Sequence, residues 1–124
     1  MEARSARILV VENDYGLAPA LRTGLERQGF NVTAFETSDK VLSNFRINNY
    51  DLALLDMPEM EGFQLARELI EIDPNLAICF LTAYGAGFED LFRKQFSTLP
   101  SYCFIKKPVT IAEIANVIRR VLGR

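Results

Sequence analysis

Four apolar runs in this chain end on polar side chains, and helical stripes separate them. Ile8-Leu9-Val10-Val11 runs into Glu12-Asn13-Asp14, Leu52-Ala53-Leu54-Leu55 into Asp56, Ile78-Cys79-Phe80-Leu81 into Thr82, and Tyr102-Cys103-Phe104-Ile105 into Lys106-Lys107-Pro108. Unbroken apolar runs bounded by turn residues are what strands covered on both faces look like. They predict strands over about 7–12, 50–56, 76–82 and 101–106, and Asn31-Val32-Thr33-Ala34-Phe35 predicts one more.

Between the runs, apolar residues recur at helical spacing. Leu17, Leu21 and Leu25 mark a first helix with Pro19 in its first turn, where a missing N–H costs least, and Gly29 as its stop. Val41, Leu42 and Phe45 mark a short second helix. Phe63, Ala66, Leu69 and Ile70 mark a third, running from Gly62 and ended by Asp73-Pro74-Asn75. Phe88, Leu91, Phe92 and Phe96 lie on one face of a fourth, as a core stripe. Ile111, Ile114, Ala115, Ile118 and Leu122 define the last, with Arg119 and Arg120 near the end that favours cations. Five strands alternating with five helices predict a single α/β domain over 1–124, a doubly wound parallel sheet between helical layers. A strand-order reversal in such a sheet opens a crevice at the strands' C-terminal ends, where the polar residues sit.

Composition changes this picture little. With 124 residues, 49% hydrophobic and 24% charged, the chain is ordinary globular material. A net charge of -2 gives no reason to expect nucleic acid or an anionic membrane as a partner, and no apolar run approaches a membrane span. The segment before the first strand does not read as a signal peptide. There is no histidine, and Cys79 and Cys103 are far apart in sequence, so a zinc site is not expected. A disulfide between them is open if their strands adjoin; the preferred reading is two small buried apolar residues in a reducing, cytoplasmic setting.

The polar residues at the strand ends carry the chemistry. An acidic cluster, a lone Asp, a hydroxyl and a Lys together point to phosphate chemistry at a carboxylate. In this order, Glu12-Asn13-Asp14, Asp56 followed by Met57-Pro58-Glu59-Met60-Glu61-Gly62, Thr82-Ala83 and Lys107-Pro108, the chain resembles the receiver domain of two-component response regulators over essentially its whole length. The resemblance implies the flavodoxin-like receiver fold, a five-stranded parallel sheet in the order 2-1-3-4-5 with five helices. It implies that Asp56 is the phosphoacceptor, served by Thr82 and Lys107, with a cis peptide bond between Lys107 and Pro108. It implies a Mg²⁺ ion held by Glu12, Asn13, Asp56 and the backbone carbonyl of Pro58, because a carboxylate attacking an anionic phosphate needs a cation between them. Thr82 and Phe104 are the implied switch residues, coupling the phosphoryl site to a surface. The implied partners are a sensor histidine kinase or phosphotransfer protein, and a downstream target on the face of the fourth helix, fifth strand and last helix.

Three features depart from the family's pattern. The second residue of the usual acid pair is Asn13, a neutral amide, so Mg²⁺ is expected to bind weakly; Asp14 instead suits a cap for the first helix. Pro58 and Gly62 follow Asp56 by two and six residues, where the family has four and eight, so the loop supplying the carbonyl is two residues short. The stretch between Thr82 and Lys107 is long, with Ser97-Thr98-Leu99-Pro100-Ser101 in place of a small-residue turn. These features keep a second reading open, a degenerate receiver that binds partners without phosphorylation. A flavodoxin-like cofactor binder fits poorly, because the acidic loop after the first strand repels phosphate. A phosphohydrolase with an Asp nucleophile fits poorly too, because Pro58 stands where its second Asp belongs. At most, the enzymatic activity expected is phosphoryl transfer to Asp56 and slow loss of the group. No output domain is visible in the chain.

Overall fold

A computed structural model describes residues 5–83, 90, 93–94 and 102–123. Five strands, β1 (Arg7–Glu12), β2 (Asn31–Phe35), β3 (Leu52–Asp56), β4 (Ala77–Thr82) and β5 (Tyr102–Lys106), form one parallel sheet in the order β2-β1-β3-β4-β5. Four helices are present among the described residues: α1 (Ala18–Arg27), α2 (Ser38–Asn44), α3 (Glu59–Ile72) and α4 (Ile111–Val121). The expected helix through Phe88, Leu91, Phe92 and Phe96 lies outside the described residues, as does the Ser97–Ser101 connection.

Alternation along the strands divides the core in two. Ile8, Val10, Leu52, Leu54, Cys79, Leu81 and Ile105 point to one face, where Leu21 and Leu25 of α1 and Ile114, Ala115 and Ile118 of α4 cover them. Leu9, Val11, Ala53, Leu55, Ile78 and Phe80 point to the other, under Val41 of α2 and Phe63, Ala66 and Leu69 of α3. Both sheet faces are dry, which is why these strands read as continuous apolar runs rather than alternating ones.

Local chemistry sets the helix ends. Pro19 occupies the first turn of α1, and Gly29, at φ 97°, supplies the left-handed residue after it. Thr37 caps α2 by accepting from the Lys40 N–H, and Thr110 caps α4 by accepting from the Glu113 N–H. Helix α3 begins at Glu59, not at Gly62 as the apolar stripe implied. Its first turn carries Met60 and Glu61, which are exposed, so periodicity registers only from Phe63 onward.

Candidate functional site

The C-terminal ends of β1, β3 and β4 and the start of the segment after β5 converge on one open cleft of about 400 Å³, lined by Glu12, Asn13, Asp14, Asp56, Thr82 and Lys107 among others. Parallel pairing puts Glu12 directly beside Asp56. Lys107 reaches across from beyond β5: its N–H donates to the Thr82 carbonyl at 2.7 Å, and its Nζ lies 2.6 Å from Asp56 Oδ1. The Lys107–Pro108 peptide bond is cis. Thr82 is buried at the floor, while the Asp56 side chain is partly open.

Glu12 is only 3% exposed, and that decides its chemistry. Burial, reinforced by a side-chain hydrogen bond with Asp56 and by the charge of that neighbour, pushes the Glu12 carboxyl up to about 8. The Asp14 N–H, which donates to Glu12 Oε1 at 3.0 Å, and Lys107 pull the other way and only partly offset this. Near neutral pH the Glu12 carboxyl therefore tends to hold its proton beside Asp56.

This donor set fits a hard divalent cation. Mg²⁺ keeps several waters and commonly takes only one or two carboxylates plus a phosphate from the protein side, and Glu12 and Asp56 supply that pair. The other two expected donors are placed differently. The Pro58 carbonyl accepts the Gly62 N–H at 2.9 Å as the first hydrogen bond of α3, because only Met57 and Pro58 separate Asp56 from the start of that helix. Asn13 is exposed and lines both this cleft and an adjoining acidic one beside Glu36, Asp39 and Glu61. Asp14 is engaged with the turn into α1, its Oδ1 accepting from the Gly16 and Leu17 N–H groups. No group of three or more His, Cys, Asp or Glu side chains gathers as a metal cluster among the described residues.

Phe104 does not line the cleft. Its ring is half-buried on the α3 face of the sheet, 6.2 Å from the Phe80 ring centroid and tilted to it. The strand that carries it also carries Lys107 to Asp56, so the two are linked through β5.

Two further features accompany the site, one unread in the sequence and one left open there. Next to the acidic cleft lies a second, largely apolar one of about 590 Å³, walled by Leu17, Ala20 and Leu21 of the α1 region and by Val109 and Ile111 before and in α4. Leu17 is 52% exposed there, although it opens the apolar stripe that Leu21 and Leu25 continue. The other is a disulfide joining Cys79 and Cys103, where two separate apolar side chains were preferred. Its physical reason is register: β4 and β5 are neighbours and pair Cys79 with Cys103. The signal was present, since Cys79 stands three residues before Thr82 and Cys103 three before Lys106, and those two residues pair as well.

An open parallel sheet in the order β2-β1-β3-β4-β5, with a Lys-paired aspartate and a buried acidic partner at its C-terminal edge, defines a doubly wound α/β domain with a charged cleft at its strand ends. Residues 8–119 match the family model of the response regulator receiver domain, and the chain belongs to that family. It is 34% identical over 119 residues to the response regulator receiver protein CpdR of Brucella abortus, covering 94% of this chain and 96% of that one. It is 31% identical to the transcriptional regulatory protein CreB of Escherichia coli, covering 94% of this chain but 51% of CreB. The chain thus spans nearly all of one relative and about half the length of several others. Among solved structures it superposes on the non-phosphorylated HemR receiver domain of Leptospira biflexa with TM-score 0.80 at 32% identity, covering 97% of this chain and 96% of that one.

Proposed function

We propose that this chain is a phosphoacceptor receiver, taking a phosphoryl group onto Asp56 from a histidine kinase or phosphotransfer protein in the cytoplasm and switching a partner-binding surface. The observation that carries this reading is the 2.6 Å contact between Lys107 Nζ and Asp56 Oδ1 at the floor of an open cleft. An ammonium held on the acceptor carboxylate is the charge that an incoming phosphate needs in order to approach. An Asp56 carboxylate oxygen attacks phosphorus, the P–O bond forms as the P–N bond to the donor imidazole breaks, and the imidazole leaves with the electron pair and takes up a proton. Lys107 then moves from the carboxylate to a phosphoryl oxygen, and the Thr82 hydroxyl donates to another. Mg²⁺, when bound by Glu12 and Asp56, supplies further neutralisation of charge on the transferring group. Positioning and neutralisation suffice, so no general base is required.

The switch runs through Thr82 and Phe104, and the surface it alters is the one expected at the fourth helix, β5 and α4, of which the fourth helix lies outside the described residues. The apolar cleft beside Leu17 and Val109 adjoins Asp56 and suits the apolar face of a donor protein.

A degenerate receiver is the second reading, and it has its own support. Asn13 brings no charge to the metal position, and the Pro58 carbonyl is bonded within α3. Intact mass after incubation with acetyl phosphate, with and without Mg²⁺ and beside Asp56→Asn, separates the two. A single Mg²⁺-dependent phosphoryl adduct absent from Asp56→Asn is expected. No adduct under conditions that label an ordinary receiver would hand the chain to the second reading.

A further inference from the structure

The Cys79–Cys103 bond plays no part in phosphoryl chemistry, yet it sits where that chemistry is held together. Among the described residues β5 is the edge strand, paired with β4 alone. One residue beyond Cys103 is Phe104, and four beyond it is Lys107, which reaches Asp56; three beyond Cys79 is Thr82, whose carbonyl takes the Lys107 N–H. Every proposed output residue on β5 is therefore fastened to the sheet by one set of ladder hydrogen bonds and one covalent bond. An edge strand held on one side opens more readily than a central one, and a covalent cross-strand link in register suppresses that opening.

We propose that Cys79 and Cys103 form a reversible dithiol–disulfide site, a redox staple that sets how freely β5, with Lys107 and Phe104, moves against β4. The two sulfurs differ in access in the way such a site needs. Cys79 is wholly buried in the α1–α4 layer, whereas Cys103 is only partly buried on the edge strand. Cys103 is accordingly the sulfur that meets external thiols, and Cys79 is the resolving one. In oxidation the Cys103 thiolate attacks one sulfur of a low-molecular-weight disulfide, expelling one thiol and forming a mixed disulfide. The Cys79 thiolate then attacks the Cys103 sulfur, closing the internal bond and expelling the second thiol, so that the two cysteine protons end on the two departing thiols. A dithiol reverses both steps. Disulfides in reducing compartments are characteristically transient and redox-sensing, which matches a staple rather than a permanent brace in a cytoplasmic receiver. The inference rests on the phosphoacceptor reading only for its consequence, not for the staple itself.

The whole chain, equilibrated in oxidised or in reduced glutathione, tests this by alkylation under denaturing conditions and by amide hydrogen exchange. Oxidised protein should give no alkylated thiols and reduced protein two. Exchange at the amide of Ile105 in β5 and of Lys107 just beyond it should quicken by about tenfold or more on reduction, the scale of a released local opening. Cys103→Ser should exchange like the reduced protein in both buffers. Two alkylatable thiols after equilibration with oxidised glutathione, or β5 exchange indifferent to redox state, would overturn the staple. Acetyl phosphate labelling of both forms is read separately: its absence from both strikes the phosphoacceptor reading and leaves the exchange result standing.

Discussion

Glu12 and Asn13 are adjacent in the chain and carry opposite consequences for the same cleft. Glu12 has its carboxyl raised from 4.5 to about 8 by burial and by Asp56, so the folded protein binds that proton more tightly than the unfolded chain. The stability this contributes is complete below about 4.5 and is lost as pH rises through about 8, because above 4.5 the unfolded state releases the proton first. The metal-free protein should therefore unfold at lower urea as pH is taken from about 5 to about 8.5, and Glu12→Gln, which cannot ionise, should flatten that slope. A slope unchanged in Glu12→Gln would locate the pH dependence in another group. Asn13 lacks the charge that the family places beside the metal, and it is exposed at the rim rather than buried. Asn13→Asp adds a carboxylate to the lining of the cleft that holds Glu12 and Asp56, which should tighten Mg²⁺ binding roughly tenfold. Titration calorimetry reads this directly, and an unaltered affinity would mean that position 13 does not face the ion.

At the scale of elements, what was legible in the chain was whatever repeats. Each strand buried on both faces printed a continuous apolar run, and each polar residue where a run stopped landed at the sheet's C-terminal edge. The sequence alone thus brings Glu12, Asp56, Thr82 and Lys107 together, since parallel strands deliver their last residues to one end. Features that depend on two elements at once were not legible. The start of α3 was read three residues late, because its first turn carries nothing apolar and the two-residue loop after Asp56 decides where the helix begins. The same shortening binds the Pro58 carbonyl to Gly62, a consequence of loop length that no single residue announces. Gly24 gives a further case. A Cβ there would lie 2.5 Å from Ile111 Cδ1, so this glycine lets α1 approach α4, yet in the sequence it is only a weak point in a helix.

For the whole molecule the disulfide matters because it joins β5, the edge strand among the described residues, to its neighbour β4 across a sequence separation of 24. Closing a loop of that length removes conformational freedom from the unfolded chain, stabilising the folded state by about 3 kcal/mol. That is a substantial share of the roughly 5–15 kcal/mol by which domains are stable. It is not the whole, because the two apolar layers on either face of the sheet involve all four described helices and remain when the bond is cut. Reduction should therefore leave a folded, cooperative protein whose melting temperature is lower by about 10 °C. Thermal unfolding followed by circular dichroism with and without a dithiol measures this, with Cys79→Ala/Cys103→Ala as a form blind to the reductant. A shift in the wild-type chain alone assigns the stabilisation to the bond. Equal melting temperatures would mean that the bond is absent in solution or that ordering β5 costs as much as the bond supplies, and the thiol count decides between those two.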